Sequence, residues 1–376
     1  MTEASGQLSW QPGDEPGGRR FALLDPDDGP GLQLECGTPL PGVAVAYETW
    51  GTLDAARSNA VLVLHALTGD SHAAGPSGPG HPTPGWWDPL IGPGRAIDTD
   101  RYFVVSPNVL GGCQGTTGPS SPAPDGRPWG ARFPRITIRD QVAAEVLLAD
   151  RLGIDRWAGV VGGSMGGMRV LEWCVGHPDR VARGAVLAVG AAATAEQVAL
   201  CSVQCRAIRL DPAFTGGDYY DSAAPVDGMA LARGIGQISY RTEAELAERF
   251  GRAPQGDEDP LGGGRFAVES YLGYQGEKLA RRFDPNSYLA LSEAMNSHDI
   301  GRGRGGVAAA LSRVAADVRV AGIDSDRLYP VPLQSELADL LPGDHPLTVV
   351  HSRFGHDGFL LESEQVGAVV ARALDA

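Results

Sequence analysis

The stretch Trp157-Ala158-Gly159-Val160-Val161-Gly162-Gly163-Ser164-Met165-Gly166-Gly167-Met168 decides the fold. Its first half, from Trp157 to Val161, is short and apolar and reads as a buried strand. Met168 to Val175 reads as a helix, and Gly162 to Gly166 as the turn between them. A serine on so tight a strand-to-helix turn projects its hydroxyl from the edge of the sheet. Only small neighbours leave room for that, which accounts for Gly162, Gly166 and Gly167. The chain has 52 glycines in 376 residues, so roughly 0.4 chance matches to G-x-S-x-G are expected and the pattern alone is weak. The strand–turn–helix context gives it weight. The plain alternative is a glycine turn with a surface serine.

Working outward, the same grammar repeats. Val43 to Thr49, Ala60 to His65 and Tyr102 to Ser106 read as strands, and Gly/Pro-rich loops follow the last two. The loop over 69–95 is long enough to suggest a functional segment. Asp140 to Leu152 reads as a helix stopped at Gly153, and Arg183 to Val189 as the next strand. Such alternation predicts a mostly parallel central sheet with helices on both faces. The texture changes over 194–304. Helical stretches at 194–209, 227–238 and 242–250 are separated by Gly/Asp/Pro loops, and no buried strand is evident. Alternation returns with a strand at Asp317–Ile323, a helix at Leu333–Leu341, a strand at Leu347–Val350 and a last helix over 361–374. The expected organisation is a loose tail over 1–18, a core formed by 19–193 and 305–376, and a helical lid inserted over 194–304.

Serine is a poor nucleophile near neutral pH. It needs a base, and the base needs an orienting acid. In a sheet of this kind the acid and then the histidine follow the serine along the chain. Of the histidines in the last sixty residues, His345 precedes Pro346 at a strand entrance, His351 ends the last strand, and His356 sits in a loop before the final helix. His356 is the expected base, with His351 as the alternative. The acid should close the strand Val318–Ile323, which nominates Asp324, with Asp326 a close competitor. Both also suit an ordinary solvated turn. Two backbone N–H groups should receive the oxyanion. Met165 supplies one, and the other should come from the loop His65-Ala66-Leu67-Thr68-Gly69. His65 itself reads as structural.

The formal charge is −15, and no Lys/Arg-rich run relieves it, so nucleic acid is an unfavourable partner. The cysteines Cys36, Cys113, Cys174, Cys201 and Cys205 are odd in number and form no C-x-x-C. That pattern disfavours a disulfide framework or a metal site and suits a reducing cytoplasm. The first residues lack a basic start followed by an apolar run, so no secretory signal is read there. No apolar run approaches the about 20 residues of a membrane span.

Several blocks carry a family resemblance: HALTGDSHAAG, GWWDPLIGPGRAIDTDRYFVV, PNVLGGCQGTTGPSS, VVGGSMGGMRVLEW, GGDYYD, VESYLGYQG and RFDPNSYLAL. From about residue 35 to 372 the chain resembles the homoserine O-acetyltransferases of the α/β-hydrolase superfamily. The resemblance implies the α/β-hydrolase fold with a helical lid and a triad of Ser164, Asp324 and His356. It implies oxyanion donors at Leu67 and Met165. Arg233 falls where the family holds the substrate carboxylate, and Asp357 where it meets the substrate amine. A guanidinium fork suits a carboxylate, and a carboxylate suits an ammonium. Arg233 also reads as a surface helix residue, and Asp357 as a cap for the helix that follows. The implied substrates are acetyl-CoA, as co-substrate and not as a bound cofactor, and L-homoserine. A homodimer through the lid is also implied. Arg169, Ser297-His298-Asp299 and the Gly/Arg-rich loop 301–306 depart from the family pattern, which leaves a succinyl donor or a serine acceptor open. A plain esterase with the same triad is the rival of another class.

Overall fold

The computed structural model describes residues 9–24, 29, 31–343 and 346–375. Eight strands form the central sheet: β1 Arg20–Leu23, β2 Ala44–Trp50, β3 Ala60–Leu64, β4 Phe103–Pro107, β5 Gly159–Gly163, β6 Arg183–Leu187, β7 Asp317–Ile323 and β8 Thr348–Val350. Their order across the sheet is β1-β2-β4-β3-β5-β6-β7-β8. β2 runs antiparallel to both its neighbours, and every pairing from β4 to β8 is parallel. All residues of β3 and β5 are buried, which is why both strands read as unbroken apolar or glycine runs. In register, Val161 of β5 lies between Val63 of β3 and Ala185 of β6.

Helix α1, Ile138–Leu152, is bounded as its chemistry requires. Thr137 and Asp140 make a reciprocal capping box at its start, and Gly153 at φ 66° closes it. Helix α2, Met165–Gly176, begins directly after Ser164. The turn is therefore one residue long, where the sequence suggested five. Glycine makes this possible: a Cβ on Gly166 would lie 2.1 Å from the Leu64 carbonyl oxygen, and one on Gly162 would lie 2.8 Å from the Gly166 backbone.

Between β6 and β7 the chain is helical: α3 Ala195–Leu210, α4 Val226–Tyr240, α5 Glu243–Phe250, α6 Ala267–Ala280 and α7 Pro285–Asn296, followed by the short α8 Val307–Leu311. α4 packs against both α3 and α6. After β7 come α9 Val331–Leu340, then β8, then α10 Gly358–Leu361 and α11 Ser363–Asp375.

One expectation fails near the N-terminus. Residues 1–8 lie outside the described residues, but 9–18 are not a loose tail. Trp10 donates its backbone N–H to Cys113 (2.9 Å) and stacks on Phe21, with ring centroids 4.7 Å apart. The Gly18 N–H donates to His81 Nε2 at 3.0 Å. Arg19, itself buried, donates to the Gly80 carbonyl and to Gln114 Oε1. Polar, glycine-rich composition suggested disorder. It is overridden by the nearby Trp10–Phe21 stack and by backbone and guanidinium hydrogen bonds whose partners lie more than sixty residues away.

Candidate active site

Ser164 leaves β5 at φ 56° and ψ −126°, a left-handed backbone that a serine adopts only where its surroundings force it. Its N–H donates to Leu187 of β6 at 3.0 Å. The hydroxyl lies 2.9 Å from His356 Nε2, and His356 Nδ1 lies 2.7 Å from Asp326 Oδ2. Ser164 is 5% exposed and His356 and Asp326 are each 4% exposed, so this hydrogen-bonded line is shielded from water. The other oxygen of Asp326 accepts the N–H groups of Leu328 (2.8 Å) and Tyr329 (2.9 Å), which fixes the carboxylate. Tyr329 stacks on His356 at 5.0 Å between centroids, and Phe359 and Tyr240 flank the ring. Burial pulls the His356 pKa down. The Asp326 charge and hydrogen bond, helped by Asp357, more than offset this, and the net shift is upward.

The acid facing the histidine is thus Asp326, and the expectation of Asp324 is corrected. Asp324 still belongs to the edge of the sheet: its N–H donates to Val350 (3.0 Å), and its carboxylate binds His351 Nδ1 at 2.8 Å. That pair faces solvent, with the Asp324 side chain 40% exposed and His351 78% exposed. Asp326 donates its N–H to Ile323 at 3.1 Å, closing a turn that carries its side chain inward. Both residues set aside in favour of others, Asp326 and His351, find carboxylate–imidazole partners, but only the Asp326 pair reaches the serine. His345 lies outside the described residues.

Met165 is the first residue of α2, and the first N–H groups of a helix have no partner within it. Leu67 follows β3 in the loop that also lines the cavity above Ser164. That cavity has a volume of about 100 Å³. Its walls are mainly apolar, with Met168, Leu200, Met295, Leu328 and Phe359 among them, and its polar groups include Gln197, Gln204, Arg233, Tyr240, Asn296 and Asp357. Cys201 also faces it. Burial, and then Cys205, push the Cys201 thiol up to about 12, so it does not compete as a nucleophile.

Both expected substrate contacts reach this cavity. The guanidinium of Arg233 lies 5.4 Å above the Tyr240 ring. With the Gln237 amide turned to satisfy both its ends, the amide oxygen accepts from Arg233 Nη2 at 2.8 Å and Nε at 3.2 Å. Asp357 follows His356 in a short 3-10 turn, and its Oδ2 lies 3.1 Å from Arg241 Nε.

One group of potential metal ligands comes together among the described residues: Glu48, His72 and His81. The two imidazoles stack, with centroids 3.8 Å apart and planes only 8° from parallel. Their lone pairs lie in parallel planes and do not converge on one point, as a tetrahedral ion would require. His72 Nδ1 lies 3.0 Å from Glu48 Oε2, and Ser71 donates to Glu48 Oε1 at 2.8 Å. The group is a hydrogen-bonded charge cluster that holds the N-terminal segment.

Sequence reasoning missed a buried pair behind the nucleophile. Arg169 Nη1 donates to Glu145 Oε1 at 2.6 Å, with side-chain exposures of 0% and 3%. A signal existed. Glu145 occupies the same helical stripe as the buried Ile138, Val142, Leu148 and Ala149, where a lone carboxylate would be untenable without a cation.

Comparison with known proteins agrees with this geometry. The family model described as the alpha/beta hydrolase fold matches residues 59–362. The chain is 61% identical over 368 residues to a homoserine O-acetyltransferase of Thermobifida fusca (strain YX), covering 97% of this chain and 96% of that protein. The chain belongs to the homoserine O-acetyltransferase family. Among solved structures it resembles the homoserine O-acetyltransferase from Bacillus anthracis, with a TM-score of 0.85 and 28% identity, covering 95% of this chain and 97% of that one. Esterase E22 is equally similar in shape, with a TM-score of 0.85 and 28% identity over 95% of this chain and 99% of that one. Family membership therefore rests on the sequence relative and the fold on both structures. In this chain Ser164, His356 and Asp326 form one hydrogen-bonded line, serine to imidazole to carboxylate.

Proposed function

We propose that the protein transfers the acetyl group of acetyl-CoA to the hydroxyl of L-homoserine through an acetyl-Ser164 intermediate. The observation that carries this reading is the buried line Asp326–His356–Ser164 in a chain of this family. In the first half, His356 Nε2 takes the Ser164 proton while Oγ attacks the thioester carbonyl carbon. The oxyanion rests on the N–H groups of Leu67 and Met165. The C–S bond breaks, and His356 returns the proton to the thiolate of coenzyme A. In the second half, the homoserine hydroxyl gives its proton to His356 and attacks the ester carbon. The bond to Oγ breaks, and Ser164 recovers its proton from the imidazolium. Arg233 is proposed to meet the acceptor's carboxylate and Asp357 its ammonium.

Access fits a long, thin donor. The cavity over Ser164 shares Leu200, Ser239 and Leu328 with an adjoining surface pocket between α3 and α4, which also includes Glu196, Ile235, Ile238 and Arg327. A largely apolar approach of this kind suits a pantetheine arm and an alcohol, and a transferase must limit water at the acyl-enzyme.

The working form is proposed to be a homodimer through lid helices, in the cytoplasm. The unit 194–304 acts as lid over the core of 19–193 and 305–376. Among the described residues, no helix is long and apolar enough to cross a membrane.

The test is a thiol-release assay crossing acetyl- and succinyl-CoA with homoserine and serine. Parallel double-reciprocal lines and a 164-acetylated peptide in mass spectrometry are expected, with acetyl-CoA and homoserine the fastest pair. Intersecting lines with no acyl-enzyme would sink the scheme. The likeness to esterase E22 favours one second reading, hydrolysis, which acetate release at full speed without homoserine would establish.

A further inference from the structure

We propose that Arg169, held by Glu145, is a positioning residue for the oxyanion site, acting through the backbone of His65 on the peptide Ala66–Leu67. The proposal rests on the serine acyl-transfer reading above.

A fully buried ion pair needs a reason. Replacing such a pair with apolar side chains is often neutral or stabilising, so its presence is weak evidence for a role in stability alone. Here each end of the pair points somewhere definite. Glu145 projects from α1 and accepts from Arg169 Nη1 (2.6 Å) and from Trp173 Nε1 (2.8 Å). The second arm of the guanidinium, Nη2, donates to the backbone carbonyl of His65. His65 begins the loop that carries Leu67.

The loop is tied carbonyl by carbonyl. His65 O accepts from Arg169. Ala66 O accepts from Gly69 N–H at 3.0 Å and from His65 Nδ1 at 2.7 Å. Thr68 O accepts from Arg282 Nη2 at 3.0 Å. The proton on Nδ1 is assigned by the other ring nitrogen, because Nε2 accepts the Val109 N–H at 3.1 Å and so carries none. Burial and the adjacent Arg169 charge hold the ring neutral, with its pKa down at about 3. In a trans peptide the N–H points opposite to the C=O. Fixing Ala66 O therefore fixes the direction of the Leu67 N–H.

The geometry links the two oxyanion donors. Met165 N–H opens α2, and Arg169 lies one turn further along the same helix. Through Arg169, the helix that supplies one donor grips the loop that supplies the other. Arg169 is the tie that joins the two directly, and Glu145 holds it from the opposite side.

The test compares wild type with Arg169→Met/Glu145→Gln, in which the glutamine oxygen can still accept from Trp173. The readout is acetylation of Ser164 by p-nitrophenyl acetate, with thiol release from acetyl-CoA as a second measure. The ester needs neither coenzyme A nor homoserine, so the comparison stands even where the substrate assignment fails. The acylation rate constant is expected to fall about 10- to 100-fold, with the ester's KM within about twofold, because a displaced donor fails the transition state more than the ground state. Arg169→Lys keeps the charge but not the two-armed fork, and a loss of about fivefold is expected. A double variant that folds and acylates within twofold of wild type overturns the proposal. So does an Arg169→Lys rate equal to wild type, whether or not the double variant folds, and so does a loss that disappears when assayed well below the melting temperature.

Discussion

At the scale of single residues, the two aspartates that close β7 divide into one that faces the imidazole beside Ser164, proposed as the catalytic acid, and one that faces solvent. Asp326 is buried, double-capped by backbone N–H groups and bonded to His356, whereas Asp324 shares solvent with His351. Removing the first charge should leave the imidazole in the wrong tautomer and its cation unsupported. Asp326→Asn is therefore expected to lower kcat by about 10³–10⁴-fold, and Asp324→Asn to leave it within about twofold. Steady-state thiol release measures both, and a larger loss in Asp324→Asn would reverse the assignment. The pH profile follows from the same contact. His356 must be neutral to accept the serine proton, and Asp326 holds its pKa above the ordinary 6.5. Activity is therefore full above that raised pKa and falls as the pH drops through it. The acid limb of kcat/KM is expected above pH 6.5, and in any residual activity of Asp326→Asn it should move to lower pH.

At the scale of elements, the sequence was most legible where one local rule decided the outcome. The helix ended by Gly153, the strand Asp317–Ile323 and the run of helices after β6 all carry their periodicity and caps on the surface of the sequence. It was least legible where partners distant in the chain decided. The acid was ambiguous because Asp324 and Asp326 share one turn, and only packing shows which carboxylate turns inward. Arg169 was visible as a departure from pattern, but its two partners lie on α1 and after β3. The turn at Ser164 was too long by four residues because glycine permits, but does not announce, a strand and helix in direct succession. Two glycines make that difference measurable. A Cβ on Gly166 would meet the Leu64 carbonyl at 2.1 Å, while one on Gly273 in α6 meets nothing within 4 Å. Gly166→Ala is expected to destabilise by about 1–3 kcal/mol and to abolish acylation. Gly273→Ala is expected to stabilise by about 0.4–1 kcal/mol with activity unchanged. Urea titration with parallel assays checks both, and a well-folded, active Gly166→Ala protein would refute the crowded elbow.

At the scale of the whole molecule, the lid helices present more apolar surface than they use. Leu231 is 59% exposed and Ile238 50% exposed on α4, with Val203 at 55% and Leu210 at 68% on α3 and Tyr274 at 61% on α6. These three helices pack side by side, and large apolar side chains clustered on neighbouring elements mark an association surface more often than a solvated one. The same α4 carries Arg233 and Tyr240 on its inner side, so whatever covers its outer side also steadies the proposed acceptor site. The proposed homodimer thus couples assembly to substrate binding. Leu231→Asp/Val203→Asp places two carboxylates on the outer faces of α4 and α3 and touches neither the triad nor the pocket leading to Ser164. It is expected to convert the dimer to a monomer in light scattering after size exclusion and to raise the KM for homoserine. Acylation of Ser164 by p-nitrophenyl acetate, which does not use Arg233, is expected to change far less. If wild type is already monomeric at micromolar concentration, or if the double substitution leaves the dimer intact, the outer faces of α4 and α3 are not the interface. The support for Arg233 must then come from within one chain, through Gln237 and Tyr240 alone.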